Sequence, residues 1–501
     1  MISHHLTISL LSYALLGIYT DIQALMFSTL PGPLANIYNA TLINHYSIHA
    51  DAKGLSLVST AMIIALSIGT GVSLSKVLPL LDKRGRKFVN VYLRGVLGFL
   101  VGVCQLCTIL LESAEFFLFA QFLTGVMIIL SNCGSQLYLT ECAPDEHRGF
   151  VSTVLAAGDT LAAILMYLLS NQSVLGNPDF LLYIPVISIV LCVALFLFTY
   201  ELPDSPKWLV LKERWDEAKT SIRHYHGEKA NMDKVMNSLI KEVNLSEKMT
   251  LKEVLSDLTL RESLKVVVAC GTFVVTSSAL LEGMYLVMIY SSLGLQADEV
   301  LIIVLVIRLL FCPLRFTGTI IIDKYGRRPV LFLAGFISVL KLVIMAGAMS
   351  IIYFSSPSVL TIALGIMNEF LSEMFFATGI RGLPNLLIVE LFPPSSRVSA
   401  MQLVFIAPMI CSVPFIFFPT INALCPPAYF LFMLMIQPVI LYYLFDTLPE
   451  TKARSTYDIV HSFEQEIRSR TNTSTSERIT LLPSRRNTLN HVVQNGYETL
   501  I

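Results

Sequence analysis

The sequence predicts an all-α polytopic membrane protein with twelve spanning helices in two similar halves. Hydrophobic residues make up 54 % of the 501 residues and charged residues only 14 %, against about 25 % in soluble domains. The charges are clustered, so that apolar stretches such as 88–111 and 179–200 are long enough to cross a bilayer as helices. Charged motifs also recur in the two halves. The net charge of −1 offers no basic surface for nucleic acid.

The asymmetry of Lys and Arg between the predicted loops sets the orientation. Lys53 is the only basic residue in the predicted outer loops, which places both termini in the cytosol. The chain then divides into an N-terminal six-helix bundle, a cytosolic helical linker, a C-terminal six-helix bundle and a largely disordered cytosolic tail, over residues 1–200, 201–263, 264–447 and 448–501. The twelve spans are predicted at about 8–32, 55–80, 88–111, 115–140, 150–170, 179–200, 264–291, 299–322, 329–353, 358–389, 399–422 and 427–446.

Three pairs of charged motifs recur in the same order and at nearly the same spacing. The pairs are "DKRGRK" (82–87) with "DKYGRR" (323–328), "ECAPDEHR" (141–148) with "ELFPPSSR" (390–397), and "LPDS" (202–205) with "LPET" (448–451). All of them fall on the predicted inner face. A repeat of this kind predicts two parallel six-helix halves related by an axis along the membrane normal.

These motifs, with "LPDSPKWLV" (202–210) and "LPETKAR" (448–454), resemble the sugar porter branch of the major facilitator superfamily, which includes the facilitative glucose transporters. The resemblance covers both halves. It implies the major facilitator fold and a secondary transporter of a small polar solute that works by alternating access, with hexose or polyol as the first expectation. It implies no enzyme activity, no cofactor and no metal.

Opposite charges at the inner helix ends are predicted to gate the transporter. By resemblance, such networks hold the outward-open state and break when the protein opens inward. The alternative is that these charges only set the topology. The candidate gating residues are Asp82, Arg86, Glu141 and Arg148 in the first half, and Asp323, Arg327, Glu390 and Arg397 in the second.

Ionisable residues inside spans are functional candidates, because each costs about 2.5–3.5 kcal/mol to insert. At 1.5 Å rise per residue, Glu282, Arg308 and Glu373 are predicted to share one depth. Positions 369, 373, 377, 381 and 385 recur every four residues and so are expected to share one face of span 10. By resemblance, Ala377 and Asn385 align with a Glu and a sugar-facing Trp of sugar porters, which implies that this face looks into the cavity. The candidate substrate-cavity residues are Asp159, Glu282, Tyr285, Arg308, Glu373, Arg381 and Asn385.

The resemblance also shows where this chain departs from the family. Amides that hold hexose in sugar porters align here with Ala156, Ala279 and Leu280, which argues against glucose itself and leaves a different polar solute or a charged one. An organic-ion transporter on the same fold is therefore an alternative, as is a non-transporting membrane sensor. The charges could also pair with one another, Arg308 with Glu373 for instance, and hold helices together.

Two further charges in the spans receive separate predictions. Asp21 is a candidate for proton coupling, because proton-linked members carry an Asp in span 1 set against an Arg in span 4. That Arg is Gln121 here. Lys341 belongs to span 9, which is expected at the periphery, so no role is predicted for it.

The remaining motifs concern the linker, the tail and modification. Apolar residues at helical spacing predict an amphipathic cytosolic helix over residues 205–227, with a membrane-surface helix as the alternative. "NAT" predicts glycosylation at Asn39. Leu481 and Leu482 in "ERITLL" and Tyr497 in "GYETLI" resemble adaptor-binding sorting signals, and the C-terminus also fits a PDZ-type ligand. The expected location is the plasma membrane or the endosome and lysosome, with the lipid bilayer and the solute as partners.

Overall fold

The described chain is helical, and its helices follow the predicted spans. The computed structural model describes residues 3–49, 51–144, 147–227, 232–244, 251–315, 324–392, 396, 400, 403–404, 406, 410 and 413–449. Met1–Ala453 form one compact unit. Within the described residues, eight helices are long and apolar enough to cross a membrane. The other predicted spans are shorter, broken into segments, more highly charged or only partly described.

The first half runs from the N-terminus to span 6. Its spans 1 to 6 are formed, in order, by His4–Leu16 with Tyr19–Thr29; Ala52–Val72, Ser73–Val77 and Leu80–Arg84; Phe88–Leu93 with Arg94–Leu110; Ala114–Ile129, Leu130–Ser135 and Gln136–Cys142; Arg148–Leu169; and Tyr183–Thr199. Pro31–Tyr46 is an additional helix after span 1. The segments Ser73–Val77, Phe88–Leu93 and Leu130–Ser135 are π-helical, a geometry common at functional sites.

The second half repeats this order with more interruptions. Spans 7 to 12 are formed by Leu258–Thr276, Ala279–Met284 and Leu286–Ser292; Ala297–Arg315; Arg327–Phe354; Val359–Ala377, Ile380–Gly382 and Leu383–Leu391; Val413–Ile416 and Phe418–Leu424; and Ala428–Thr447. Asn39 lies within the helix Pro31–Tyr46 rather than in the loop that the sequence predicts.

The break in span 10 overturns the prediction that Glu369, Glu373 and Arg381 share one face of a single helix. Gly379 follows Ala377 with a left-handed backbone of φ 77°, which glycine adopts without a steric penalty. The helix therefore ends at Ala377, and the residues after the break point in a different direction around the axis. Glu369 and Glu373 are buried at 2 % and 0 % exposure, whereas Arg381 is exposed.

The linker forms Pro206–Leu211, Trp215–His226, Met232–Asn244 and Leu251–Ser256. The prediction of one amphipathic helix over residues 205–227 is wrong, because Glu213 takes a left-handed backbone at φ 58° and separates the first two helices. Trp208 and Ile222 are buried, while Trp215 is 43 % exposed. The linker helices therefore bury a small apolar core of their own. This core lies at the end of the molecule that carries residues 82–87, here named the motif end.

Among the described residues, one large apolar core joins the two halves. It is built mainly on spans 7, 8, 9, 11 and 12, but it includes Ile63, Ala163 and Tyr167 of the first half. Burial of this apolar surface, at roughly 25 cal/mol per Å², supports the contact between the halves at the end opposite the motifs.

Candidate functional site

At the motif end of the first half, Arg86 binds two carboxylates. Its Nε and Nη2 donate to the two oxygens of Glu141 at 2.9 and 3.1 Å, and its Nη1 lies 3.2 Å from Asp82. Arg86 is 6 % exposed. Burial acts against its charged form, but the carboxylates of Glu141 and Asp82 outweigh burial and raise the pKa of Arg86. This bidentate pair joins the beginning of span 3 to span 4, and Asp82 connects the end of span 2 to the same arginine.

Asp204 of the "LPDS" motif locks the linker to the same turn. Its Oδ1 accepts from the backbone N–H groups of Arg86, Lys87 and Ser205 at 3.0, 3.1 and 2.8 Å. Ser205 Oγ donates to Glu141 at 2.6 Å. Burial raises the pKa of Asp204 although these N–H donors favour the ionised form. Three motifs recognised in the sequence thus meet in one hydrogen-bonded cluster.

The second half carries the corresponding pair. Arg327 Nη2 lies 2.6 Å from Glu390 Oε1, which joins spans 9 and 10. Asp323 and Arg397, and the side chains of Arg148 and Asn385, lie outside the described residues. Each described motif pair therefore connects helices of one half, and the gating role of these residues stays a prediction.

A buried network in the second half is centred on Glu373. Arg315 donates to it from Nε and Nη2 at 2.8 and 2.7 Å, and Arg308 Nε lies 3.2 Å from Oε1. Glu282, Arg308 and Glu373 line one small cavity together with Glu369 and Ser372. The three residues that were predicted to share one depth thus meet at one cavity, and the contact between Arg308 and Glu373 is confirmed. Their role in binding substrate stays a prediction.

Lys341 is not peripheral, so that expectation is wrong. Its side chain is fully buried, and Nζ lies 2.9 Å from Glu282. Ser278 and Ser372 donate to the same carboxylate at 2.8 and 2.6 Å. Ser278 has a left-handed backbone at φ 63°, which breaks span 7 and exposes its hydroxyl to Glu282. Span 9 is 61 % buried over its apolar window, and Lys341 belongs to its buried residues.

A second charge group faces the cleft between the halves. Asp159 and Arg381 are exposed, and because charged side chains avoid lipid, their exposure means that both face water within the bundle. Arg381 lies within electrostatic range of both Asp159 and Asp21, as does Arg94. Arg94 is a residue that sequence reasoning missed. Its position inside the apolar run of span 3 was the available signal.

Several described side-chain contacts between the halves lie toward the end opposite the motifs. The hydroxyls of Thr60 and Thr420 are 3.2 Å apart. The rings of Phe27 and Tyr285 are 6.0 Å apart, which places the candidate Tyr285 in the closed interface at 2 % exposure. Deeper in the bundle, the Arg308 guanidinium stacks 4.7 Å over the ring of Tyr167.

We expect Tyr167→Leu to loosen this interface, since a desolvated cation–π contact contributes about 2 kcal/mol. Tyr167→Phe keeps the ring and is the matched control. The measurement is the modification rate of Ser59→Cys, a residue of the interface cavity, by a polar thiol reagent on purified protein, relative to the parent without this cysteine. The rate should rise by about tenfold or more with Leu and stay unchanged with Phe. Equal rates in both variants would contradict a role for the ring.

Comparison with known proteins identifies the family. Residues 28–463 match the family model for "Sugar (and other) transporter". The chain belongs to this family. It is a sugar-porter-type membrane transporter rather than an enzyme. Among curated relatives, it is 25 % identical over 450 residues to the glucose transporter GlcP of Staphylococcus epidermidis, covering 88 % of this chain and 94 % of GlcP.

The alignments with other relatives cover a smaller share of those proteins. The sugar transporter ERD6 of Arabidopsis thaliana is 23 % identical over 71 % of this chain and 70 % of its own length. The facilitated trehalose transporter Tret1 of Culex quinquefasciatus is 22 % identical, and the chain spans only 61 % of its length. The inward-open structure of the xylose transporter XylE from E. coli superposes with a TM-score of 0.67 at 16 % identity, over 91 % of this chain and 98 % of XylE, and shows the shared fold.

Proposed function

We propose that this family member carries a neutral polyhydroxylated solute, a hexose or a polyol, by alternating access. The supporting observation is the charge balance of the described spans around the cleft. The acids Asp21, Asp159, Glu282, Glu369 and Glu373 are matched by the bases Arg94, Arg308, Arg315, Lys341 and Arg381. Spans whose acids and bases balance in number favour a neutral solute, because a net ion would enter without compensation.

The organic-ion alternative depended on charges that the protein itself neutralises. Glu282 binds Lys341, and Glu373 binds two arginines, so these residues have little free capacity for an ionic substrate. Asp159 and Arg381 remain exposed. A carboxylate and a guanidinium together accept and donate hydrogen bonds, which suits the hydroxyls of a polyol. The names of the relatives, a glucose and a trehalose transporter, support the same substrate class.

The contacts described between the halves are compatible with alternating access, which the family resemblance implies. The two halves touch through Thr60–Thr420 and Arg308–Tyr167, while the described motif pairs stay within their own halves. We infer that closure of the motif end brings the motif charges of the two halves together, as the candidate gating residues require. Asp21 faces Asp159, Arg94 and Arg381, and is proposed as the proton-coupling carboxylate if transport is driven by a pH gradient.

The test is uptake of labelled glucose and of labelled polyols in cells that lack their own hexose carriers. Variants at Leu481, Leu482 and Tyr497 to Ala remove the candidate sorting signals, and surface exposure is confirmed. We expect saturable uptake, reduced by about tenfold or more in Asp159→Asn and Arg381→Gln. Arg223→Gln, an exposed linker residue, is the matched control and should transport normally.

Other results of this uptake experiment would support a different function or a different site. Uptake of organic ions without uptake of any polyol would refute the neutral-solute proposal. Binding without flux would support a sensor. Unchanged uptake in Asp159→Asn and Arg381→Gln would place the site elsewhere in the cleft.

The finer cellular assignments are also proposals. The tail with Leu481, Leu482 and Tyr497 lies outside the described residues, and the adaptor or PDZ interactions depend on its sequence alone. We propose that both termini are cytosolic and that the protein moves between the plasma membrane and endosomes or lysosomes. Retention of the tail variants at the cell surface checks the sorting signals. A glycosidase-sensitive mobility shift lost in Asn39→Gln checks both the glycosylation and the orientation.

A further inference from the structure

A buried arginine, Arg94, forms a hydrogen bond at the break in span 1. It is 2 % exposed, and its Nη2 donates to the carbonyl oxygen of Gly17 at 3.1 Å, where the first helix of span 1 ends. Its Nη1 donates to Ser135 Oγ at 2.6 Å. A Cβ at Gly17 would lie 3.3 Å from Arg94 Nη2 and 2.2 Å from a backbone oxygen. The glycine is therefore required for this close approach.

The surroundings of Arg94 are aromatic rather than acidic. Its guanidinium lies 5.8 Å from the ring of Tyr13 and 5.4 Å from that of Tyr19. Among the described residues no carboxylate lies within ion-pair distance, and Nε has no hydrogen-bond partner. A buried cation needs compensation. The acids within its electrostatic range are Asp21, about one turn beyond the break, and Asp159.

We propose that Arg94 is the positioning residue of Asp21. It fixes the break that directs this carboxylate toward the cleft, and it supplies the counter-charge that the resemblance assigns to span 4. The span 4 residue is Gln121, which is 1 % exposed and whose amide atoms have no partner among the described residues. The functional meaning of this assignment rests on the proposed transport function.

Arg94 also belongs to a hydrogen-bonded line that reaches the motif end. Ser135 Oγ donates to Asn90 Oδ1 at 3.4 Å, and Asn90 Nδ2 donates to the carbonyl oxygen of Arg86 at 2.9 Å. Asn90 and Ser135 lie in the facing π-helical segments of spans 3 and 4. The break in span 1 and the turn that carries Arg86 are thereby held by one set of side chains.

The charges that face Asp21 allow the proposal to be tested through pH. They are Arg94 of span 3, Asp159 of span 5 and Arg381 of span 10. Arg94 is buried, whereas Arg381 is exposed, so that water screens the charge of Arg381. Without Arg94, an ionised Asp21 loses a buried counter-charge. This penalty applies at alkaline pH and disappears when Asp21 takes up a proton, so the variant should be less stable at high pH.

The experiment measures the melting temperature of the purified full-length protein in detergent between pH 5 and pH 8. It needs no substrate, so its outcome is independent of whether the transport proposal holds. Relative to the wild type, the melting temperature of Arg94→Gln should fall about twice as far at pH 8 as at pH 5. Asp21→Asn combined with Arg94→Gln should recover most of the loss at pH 8. Asp159→Asn combined with Arg94→Gln is the matched control and should recover less.

Arg94→Lys keeps the charge but loses the two-pronged hydrogen bonding. Its melting temperature should fall uniformly, with a pH profile parallel to that of the wild type, and this variant keeps the test available if Arg94→Gln does not fold. A loss in Arg94→Gln that is equal at both pH values and is not rescued by Asp21→Asn would reduce Arg94 to a packing residue. A profile of Arg94→Lys that diverges from the wild type would also overturn the proposal.

Discussion

Lys341→Met should destabilise the protein by about 3–5 kcal/mol, the typical cost of removing one partner of a buried ion pair. Lys341 is fully buried and lies 2.9 Å from Glu282, so the substitution leaves an uncompensated carboxylate inside the bundle. The measurement is thermal unfolding in detergent. Glu282→Gln combined with Lys341→Met should restore most of the loss, because the amide is neutral, its oxygen can accept from one of Ser278 and Ser372, and its NH2 group can donate to the hydroxyl of the other.

Lys265→Met is the matched control. Lys265 also pairs with a carboxylate, Glu262, at 2.8 Å, but its side chain is 54 % exposed. Surface pairs contribute little, because water screens them and ordering two long side chains costs entropy. The same substitution there should leave the stability unchanged. Equal losses at both lysines, or a double variant at Glu282 and Lys341 that is no more stable than Lys341→Met, would contradict the buried-pair explanation.

Glu373→Gln should cost a similar amount, about 3–5 kcal/mol, and should also lower uptake. The substitution leaves Arg308 and Arg315, whose side chains are only 13 % and 18 % exposed, without the carboxylate that both contact. Because Arg308 also stacks on Tyr167 of the first half, its displacement should disturb the contact between the halves. Thermal unfolding reports the first effect, and the accessibility of Ser59→Cys reports the second.

Glu369→Gln, one turn earlier on the same helix, is the control for this prediction. Among the described residues, the direct hydrogen-bond partner of Glu369 is the hydroxyl of Tyr290 at 3.0 Å, and glutamine can accept that bond. The stability should change by less than about 1 kcal/mol. A loss in Glu369→Gln as large as that in Glu373→Gln would mean that the number of acids in this cluster matters, rather than the pairing with arginine.

These two predictions also bear on substrate. If the buried pairs of the second half are structural, the residues left to bind solute are those that face the cleft, chiefly Asp159 and Arg381. Substitutions at Lys341 should then affect stability far more than substrate affinity. Substitutions at Arg381 should do the opposite, because an exposed side chain contributes little to folding.

Much of the fold could be predicted from the sequence, because the residues of each span are apolar where lipid surrounds it and charged where water does. Apolar length predicted the spans, and the loop charges predicted an orientation that stays a prediction. The repeated motifs predicted two halves, and rise per residue predicted one depth for Glu282, Arg308 and Glu373, which line one cavity. The pairing of Arg86 with Asp82 was also accessible, since the two are four residues apart.

The remaining contacts depend on the direction in which each side chain points around its helix axis, rather than on its depth along the helix. A left-handed residue at Gly379 or Ser278 stops a helix and restarts it in another direction, and a π-helical turn adds a residue that rotates everything after it. Counting in fours across such points fails, as it did for Arg381. The inward direction of Lys341 and the approach of Arg94 to Gly17 depend on how neighbouring helices are rotated against each other.

The sequence by itself determined that this protein crosses the membrane repeatedly, that its halves are repeats and that charged turns cluster at one end. These properties follow from local hydrophobicity and from charges that cannot enter lipid. Only the tertiary structure decided which buried charge compensates which. Lys341 with Glu282 and Arg315 with Glu373 are long-range pairs, and in a low-dielectric interior the partner is chosen by ångström-scale distance that no local pattern encodes.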